Sequence, residues 1–225
     1  MNINNNIVNV REKVPPGCRL IAVSKTQPAE RIMEAYAAGQ RIFGENKVQE
    51  LLSKKPLLPA DIEWHMIGHL QTNKVKSLIP HVHLIHGVDS AKLLQEINRQ
   101  SEKLSLTTKC LLQVFIASEE TKFGFDETEI LSLIESGTVE GHQNIKVVGL
   151  MGMATFTDDQ NVVRGEFRKL KSLFEKLKAM KLPSNMRMEE LSMGMSGDFE
   201  LAIEEGSTLV RIGTAIFGER NYPVK

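Results

Sequence analysis

Eight short apolar segments, separated by amphipathic stretches, are the feature that most restricts how this chain can fold. The segments are continuously apolar rather than alternating, which is typical of parallel strands covered on both faces. The stretches 28–38, 90–104 and 161–181 have the apolar spacing of helices that pack one face against a core. The expected strands span residues 20–24, 41–44, 63–68, 84–88, 110–116, 146–151, 190–194 and 209–213.

This alternation of strands and helices predicts an α/β fold, and the number of units favours a single (β/α)₈ barrel of the TIM type. The length of 225 residues suits one such domain over 1–225. An open, doubly wound sheet is the alternative, but no GxGxxG motif follows the first strand as a dinucleotide-binding sheet would require. The segment 53–63 contains two prolines and is expected to be a loop.

Charge and composition argue against several classes of partner. Lysine and arginine together number 28, equal to aspartate and glutamate, so no nucleic acid or anionic membrane is expected as the main partner. The apolar runs are too short to span a bilayer, and residues 1–10 lack the pattern of a signal peptide. Two cysteines, Cys18 and Cys110, indicate a reducing, cytoplasmic setting without a disulfide.

The ends of the last two strands carry small and polar residues. Ser196 stands before a predicted helix, and Gly213 and Thr214 lie directly at the end of the eighth strand. Small residues let backbone N–H groups approach an anion, and loops after strands seven and eight hold phosphate in many barrels. The pattern therefore indicates a phosphate site, although ordinary helix caps and turns have the same composition.

Lys25 follows the first strand and is expected at the same mouth of the barrel. A lysine shielded from water can lose its proton and attack an aldehyde to form a Schiff base. Together with a phosphate site, this points to a phosphorylated carbonyl compound, either pyridoxal phosphate or the substrate of a sugar-phosphate aldolase. A lysine that merely extends from a surface loop is the other interpretation.

Histidines offer a metal site as a further alternative. His65 and His69 lie four residues apart, and His81, His83 and His86 lie close together in sequence. The first pair spans a strand end rather than a helix, and no HExxH motif is present. We therefore interpret the histidines as hydrogen-bonded structural or mouth residues and expect no metal ion.

Five motifs are similar to those of a known family. They read AVSKTQP, FGENKVQE, WHMIGHLQTNK, GLMGMATF and LSMGMSGDFELAIEEGSTLVRIGTAIFG, and they extend from about residue 20 to 220. In this order they closely resemble the pyridoxal phosphate homeostasis protein family. The resemblance implies a barrel like the N-terminal domain of alanine racemase, of PLP fold type III, without that enzyme's second β domain. It also implies pyridoxal 5′-phosphate as the cofactor.

The same resemblance assigns roles to individual residues. Lys25 would form the Schiff base, and Asn46 would lie beside the cofactor ring. Arg211 would point toward the pyridine nitrogen or toward the phosphate, and both remain open. The phosphate would be held by Ser196, Gly213 and Thr214. No catalytic residue is implied.

The sequence favours a protein that binds pyridoxal phosphate over an enzyme that uses it in catalysis. An arginine at the pyridine nitrogen would leave that nitrogen unprotonated and the ring a weaker electron sink. Alanine racemase adds a tyrosine base from a second domain, whereas Tyr36 here is expected in a helix core and Tyr222 in a tail. We expect a monomer that takes part in intracellular vitamin B6 and amino/keto acid homeostasis, with apo-enzymes as recipients. An amino-acid racemase and a Schiff-base aldolase are the alternatives.

Overall fold

The eight strands hydrogen-bond in sequence order, and the last pairs with the first, so the parallel sheet closes into a barrel. The structure is a computed structural model that describes residues 2–117 and 124–219. The predicted (β/α)₈ barrel is thus confirmed. The strands are β1 (Arg19–Val23), β2 (Ile42–Glu45), β3 (Glu63–Met66), β4 (Leu84–Val88), β5 (Thr108–Gln113), β6 (Ile145–Met151), β7 (Met186–Ser192) and β8 (Leu209–Ile212).

Helices surround the barrel, and most of them connect one strand to the next. No helix in the described part of the chain is long and apolar enough to cross a membrane. In the same part, the α-helices are α1 (Ile3–Glu12), α2 (Ala29–Ala37), α3 (Val48–Lys54), α4 (Val75–Leu78), α5 (Ala91–Lys103), α6 (Glu127–Glu135), α7 (Gln160–Ala179), α8 (Phe199–Glu204) and α9 (Thr214–Phe217).

The expected helix at 161–181 corresponds to α7, which buries the apolar stripe that predicted it. The stripe residues within the helix are all buried, whereas Lys181 lies beyond its end at Ala179. The helix expected at 90–104 is α5, and the Ser90 hydroxyl accepts from the Leu93 N–H as an N-cap. The buried stripe residues of α7 are Val163, Phe167, Leu170, Phe174 and Leu177.

Several boundaries differ from the sequence prediction for physical reasons. The prediction of a loop at 53–63 is wrong for its first half, because α3 continues to Lys54 and a 3₁₀ turn follows at Lys55–Leu57. Strand β7 begins at Met186, four residues before the expected start at 190, since its first half alternates between buried and exposed residues. A search for continuous apolar runs misses such a half-exposed segment. Helix α1 was not predicted.

The interior of the barrel has an apolar layer and a polar chain. The apolar layer lies inside the strands, separate from the larger core between strands and helices, and comprises Ile21, Leu84, Leu111, Val148, Met151 and Leu209. Four polar side chains are buried beside it, namely those of His65, His86, Ser192 and Arg211. They are linked by hydrogen bonds of 3.0, 2.9 and 2.6 Å in that order. This chain reaches the floor of the site described next.

Candidate functional site

A cavity of about 380 Å³ opens at the carboxyl ends of the strands, where barrel enzymes place their chemistry. A volume of this size lies within the range of small-molecule sites. The structure brings all six residues predicted from the sequence to its wall, namely Lys25, Asn46, Ser196, Arg211, Gly213 and Thr214. These residues come from the ends of β1, β2, β7 and β8, so closure of the barrel is what assembles them.

The turn that carries Lys25 is held from below by buried polar groups. The Ser24 N–H donates to the Gly44 carbonyl at 3.0 Å, and the Ser24 carbonyl accepts from the Lys54 ammonium at 2.8 Å. Thr26 has a positive φ of 66°, which is unfavourable for a residue with a branched side chain, and its N–H donates to the Glu50 carboxylate. The strained turn is thus fixed by α3, and Lys25 is presented from a defined position.

Beneath this turn lies a buried carboxylate, that of Glu45. Its Oε1 accepts from the Ser24 hydroxyl at 2.7 Å and from the Lys54 ammonium at 2.8 Å. Burial raises the pKa of Glu45 to about 7, although Lys54 and Ser24 oppose this shift. Its Oε2 has no hydrogen-bond partner within the described structure, which is consistent with a carboxyl group that binds a proton readily.

Asn46 is half-buried in the cavity wall, next to Gly68, which allows two segments of the backbone to approach closely. A Cβ atom at Gly68 would lie 2.6 Å from the Asn46 carbonyl oxygen and 2.8 Å from its Cα. Only a residue without a side chain permits this contact. Gly68 therefore sets the position of the backbone that presents the Asn46 amide.

The expected phosphate site is a small cup formed where β7 and β8 end. The Gly213 N–H donates to the Ser196 hydroxyl at 3.2 Å, which joins the two loops. A Cβ atom at Gly213 would lie 3.3 Å from both Cβ and the carbonyl oxygen of Val23. Thr214 follows and begins α9, whose first N–H groups have no acceptor within the helix. The cup can thus offer hydroxyl and backbone donors to an anion.

Arg211 forms the floor of the cavity and is held on two sides. Its Nη1 donates to the Ser192 hydroxyl at 2.6 Å, and its Nη2 donates to the Gly152 carbonyl at 3.0 Å. Burial lowers the pKa of Arg211 to about 10, and the negative charge of Asp198 opposes that shift. The guanidinium is therefore still a cation at neutral pH, fixed below the level of the cup.

Sequence reasoning missed two parts of this site. Asp198, interpreted only as the start of a helix, lines the cavity, and burial raises its pKa. The loop from Met153 to Phe156 forms another wall and is attached to α7, since both the N–H and the hydroxyl of Thr155 donate to the Glu166 carboxylate. Both parts lie in motifs quoted from the sequence, Asp198 in LSMGMSGDFELAIEEGSTLVRIGTAIFG and the loop in GLMGMATF, and this position was the available signal.

The histidines and tyrosines lie elsewhere. His69 is at the mouth beside the Asp89 carboxylate, at 2.9 Å, whereas His65 is inside the barrel, so this pair does not converge. Tyr36 is half-buried with its hydroxyl on the Asp61 carboxylate and does not line the cavity, so the expectation of a helix-core residue is only partly right. Tyr222 lies outside the described residues.

Comparisons with known proteins agree with this geometry. The alanine racemase N-terminal domain family matches residues 1–221. The pyridoxal phosphate homeostasis protein of Aquifex aeolicus is 42% identical over 233 residues, covering 99% of this chain and 100% of that protein. PipY of Synechococcus elongatus PCC7942, solved without PLP, is 37% identical with a TM-score of 0.90. The PipY structure with PLP bound is 36% identical, with a TM-score of 0.86, and the match covers 96% of this chain and 100% of PipY.

Proposed function

The chain belongs to the pyridoxal phosphate homeostasis protein family, and on this premise we propose that it holds pyridoxal 5′-phosphate at the barrel mouth through a reversible Schiff base with Lys25. The cofactor supplies an aldehyde that a primary amine can attack. The observation that carries the proposal is that Lys25 and the cup of Ser196, Gly213 and Thr214 line one cavity. The protein thereby serves intracellular vitamin B6 and amino/keto acid homeostasis.

The residues present fit such a cofactor. The cup can bind a phosphate because Ser196, Gly213 and Thr214 line the cavity together and carry hydroxyl and backbone N–H donors. Arg211 adds a buried positive charge to the cavity. Lys25 stands on a different loop, after β1, which is the strand beside β8, so the anionic tail and the aldehyde of one molecule have separate partners.

We assign Arg211 to the pyridine nitrogen rather than to the phosphate. Its guanidinium is held by Ser192 and Gly152 on the cavity floor, two residues before the loop that forms the cup. From this position it faces the ring of a ligand whose tail lies in the cup. Asn46, presented by β2 on the same wall as Lys25, lies beside that ring.

The family name of the relatives describes homeostasis, and we propose that this chain turns over amino acids little or not at all. A guanidinium does not give up its proton, so Arg211 leaves the pyridine nitrogen unprotonated and carbanion chemistry poorly assisted. Among the described residues that line the cavity, the carboxylates are Asp158 and Asp198, and no tyrosine is present. Exchange of the Cα proton of alanine with solvent should therefore be negligible with the purified protein, and rapid exchange would favour a racemase.

Several wider expectations remain part of the proposal. Residues 1–225 form one domain that acts as a monomer, and PLP-dependent apo-enzymes receive the cofactor by exchange of Lys25 for another amine. Cys18 and Cys110 are free thiols, and burial raises their pKa values to about 11 and about 12. Thiols with such pKa values are weak nucleophiles. The expectation of a cytoplasmic protein rests on the two cysteines being unpaired.

The visible spectrum of the purified protein with pyridoxal 5′-phosphate tests the proposal. Wild-type protein should show the absorption of an imine, and Lys25→Ala should lose it because no other lysine is among the described residues that line the cavity. Lys47→Ala is the matched control, since this exposed lysine does not line the cavity. An imine absorption that survives in Lys25→Ala would show that another lysine carries the cofactor.

Hydride reduction distinguishes the alternative functions. Reduction of the loaded protein should leave a pyridoxyl group on the peptide that contains Lys25, detected by mass spectrometry. A sugar-phosphate aldolase would instead be labelled by its carbonyl substrate on that lysine. A label that lands on another peptide, or a sugar adduct in place of the pyridoxyl group, would contradict the assignment.

A further inference from the structure

Three side chains with metal-binding atoms converge at the end of the barrel opposite to the cofactor cavity. Glu63 begins β3, His65 lies two residues further along, and His83 directly precedes β4. The backbone N–H of His83 donates to the backbone carbonyl of Trp64 at 2.7 Å, which brings the two chain segments together. One donor atom from each of Glu63, His65 and His83 lies within 4.8 Å of the other two.

A separate observation concerns the free edge of the His65 ring. His65 is fully buried, yet its Nε2 has no hydrogen-bond partner among the described residues. The ring cannot easily turn away, because its Nδ1 is 3.0 Å from His86 Nε2 and it stacks on His83 with the ring centres 5.7 Å apart. A buried polar atom left without a partner is unfavourable, so a ligand at this position would stabilise the folded protein.

We propose that Glu63, His65 and His83 bind a divalent transition-metal ion of the zinc type. Two imidazoles and one carboxylate leave the fourth position of a tetrahedral ion to water. Ligand atoms on such an ion lie about 3.4 Å apart, so donor atoms that are now within 4.8 Å of one another need to close by up to about 1.4 Å. Glu63 and His83 have 41% exposed side chains and can make that movement, while His65 provides the fixed point.

The surrounding charges set the kind of ion that fits. Arg19 and Lys109 act on both histidines, and Arg19 is paired with Glu190 at 2.5 Å. With Glu63 and Glu190 negative, these four groups sum to zero before an ion binds. A site without excess negative charge and with two imidazoles favours zinc, nickel or copper over magnesium or calcium.

The hydrogen-bond chain inside the barrel ends at His65 and orients this proposed metal ligand. A metal-binding histidine commonly donates its second N–H to a fixed acceptor, which sets its tautomer. Here His65 Nδ1 can donate to His86 Nε2, and His86 Nδ1 can donate to the Ser192 hydroxyl, which also accepts from Arg211. Both histidines are then neutral and His65 Nε2 presents a lone pair. The proposed ion is thereby connected to the floor of the cofactor site.

Zinc titration by calorimetry and cobalt absorption test the site directly, without involving pyridoxal phosphate. Wild-type protein should bind one zinc ion, and the cobalt form should show the visible bands of tetrahedral coordination. Glu63→Gln and His83→Phe should each weaken zinc binding by about tenfold or more, the loss expected even for a supporting residue. Phenylalanine keeps a ring stacked on His65 but removes the ligand atom. The control is His81→Asn, because His81 lies between β3 and β4 but outside the cluster. This variant should bind zinc with unchanged affinity.

The outcomes that would overturn the site are distinct from those of the cofactor proposal. Absence of saturable zinc binding by wild-type protein, or equal affinity in all four proteins, would contradict it. Circular dichroism confirms that each variant is folded, and ¹⁵N NMR of the wild-type histidines adds a measurement that needs no variant. Zinc should shift His65 Nε2 to the position of a metal-bound nitrogen, and an unchanged His65 signal would also reject the site.

Discussion

At the scale of single residues, the site depends on glycines that leave space for close approach. Gly213 joins the two loops of the cup by donating to Ser196, and the space on its Cα faces Val23. A methyl group there is tighter than ordinary van der Waals contact, at 3.3 Å from two Val23 atoms. Because both atoms belong to Val23 at the end of strand β1, the cup rather than the strand should shift.

The first residue-scale prediction concerns Gly213→Ala. This substitution should weaken binding of pyridoxal 5′-phosphate by about tenfold, about 1.4 kcal/mol. Binding of pyridoxal, which has no phosphate, should change much less. Gly141→Ala is the control, since its Cβ would meet only carbonyl oxygens at 3.6 and 3.7 Å. Absorption titration measures both affinities. An equal loss of affinity for the two ligands would show that the cup does not bind the phosphate.

How far the site could be predicted differs from residue to residue. Lys25, Ser196 and Gly213 were found because each lies within a few residues of the carboxyl end of an apolar strand, where a barrel places its chemistry. The support under Lys25 was not predictable, since Glu45 and Lys54 look like ordinary charged residues in the sequence. Their burial and pairing at 2.8 Å arise only when α3 packs against the end of β2.

At the scale of elements, β6 and β7 meet across a local shift of register. Their pairing shifts between Val147 and Gly149, and Gly149 has a φ of +155°. A Cβ atom at Gly149 would lie 1.8 Å from the Glu190 carbonyl oxygen, a distance that no side chain can occupy. The two strands can therefore lie side by side only because this residue is glycine.

Gly149→Ala should consequently destabilise the barrel strongly, by about 3 kcal/mol or more, as overpacking against backbone does. Gly165→Ala is the matched control, because Gly165 lies within α7 and nothing is within 4 Å of its added Cβ. Alanine there should stabilise the protein by about 0.5–1 kcal/mol through higher helix propensity. Urea unfolding of both variants measures these differences, and similar effects at the two positions would contradict the interpretation.

At the scale of the whole molecule, buried titratable groups make stability depend on pH in two opposite ways. Burial lowers the pKa of His65 from 6.5 to about 3, so its contribution to stability is present above pH 6.5 and is lost as pH falls toward 3. Burial raises the pKa of Glu45 from 4.5 to about 7, so its contribution is complete below pH 4.5 and is lost as pH rises through 7.

The Glu45 part of this dependence can be tested with Glu45→Gln, which keeps an oxygen for Ser24 and Lys54 but cannot ionise. The urea midpoint of wild-type protein should fall between about pH 4.5 and about pH 7 as the Glu45 contribution is lost. That of Glu45→Gln should fall less over the same range, since one ionising carboxyl group has been removed. Glu34→Gln, at an exposed position of α2, should follow the wild type. Parallel curves for all three proteins would assign the pH dependence to other groups.

By itself the sequence determined that this chain folds as a closed parallel barrel, because continuous apolar strands alternating with amphipathic helices bury both faces of a sheet. It also placed Lys25 and the phosphate-cup residues at one mouth, since strand ends are visible in the local pattern. Only the tertiary structure decided which polar groups meet inside the barrel. Glu63 and His65 of β3 meet His83 from the margin of β4, and His86, Ser192 and Arg211 come from three different strands. No local pattern records the distances that closure creates between them.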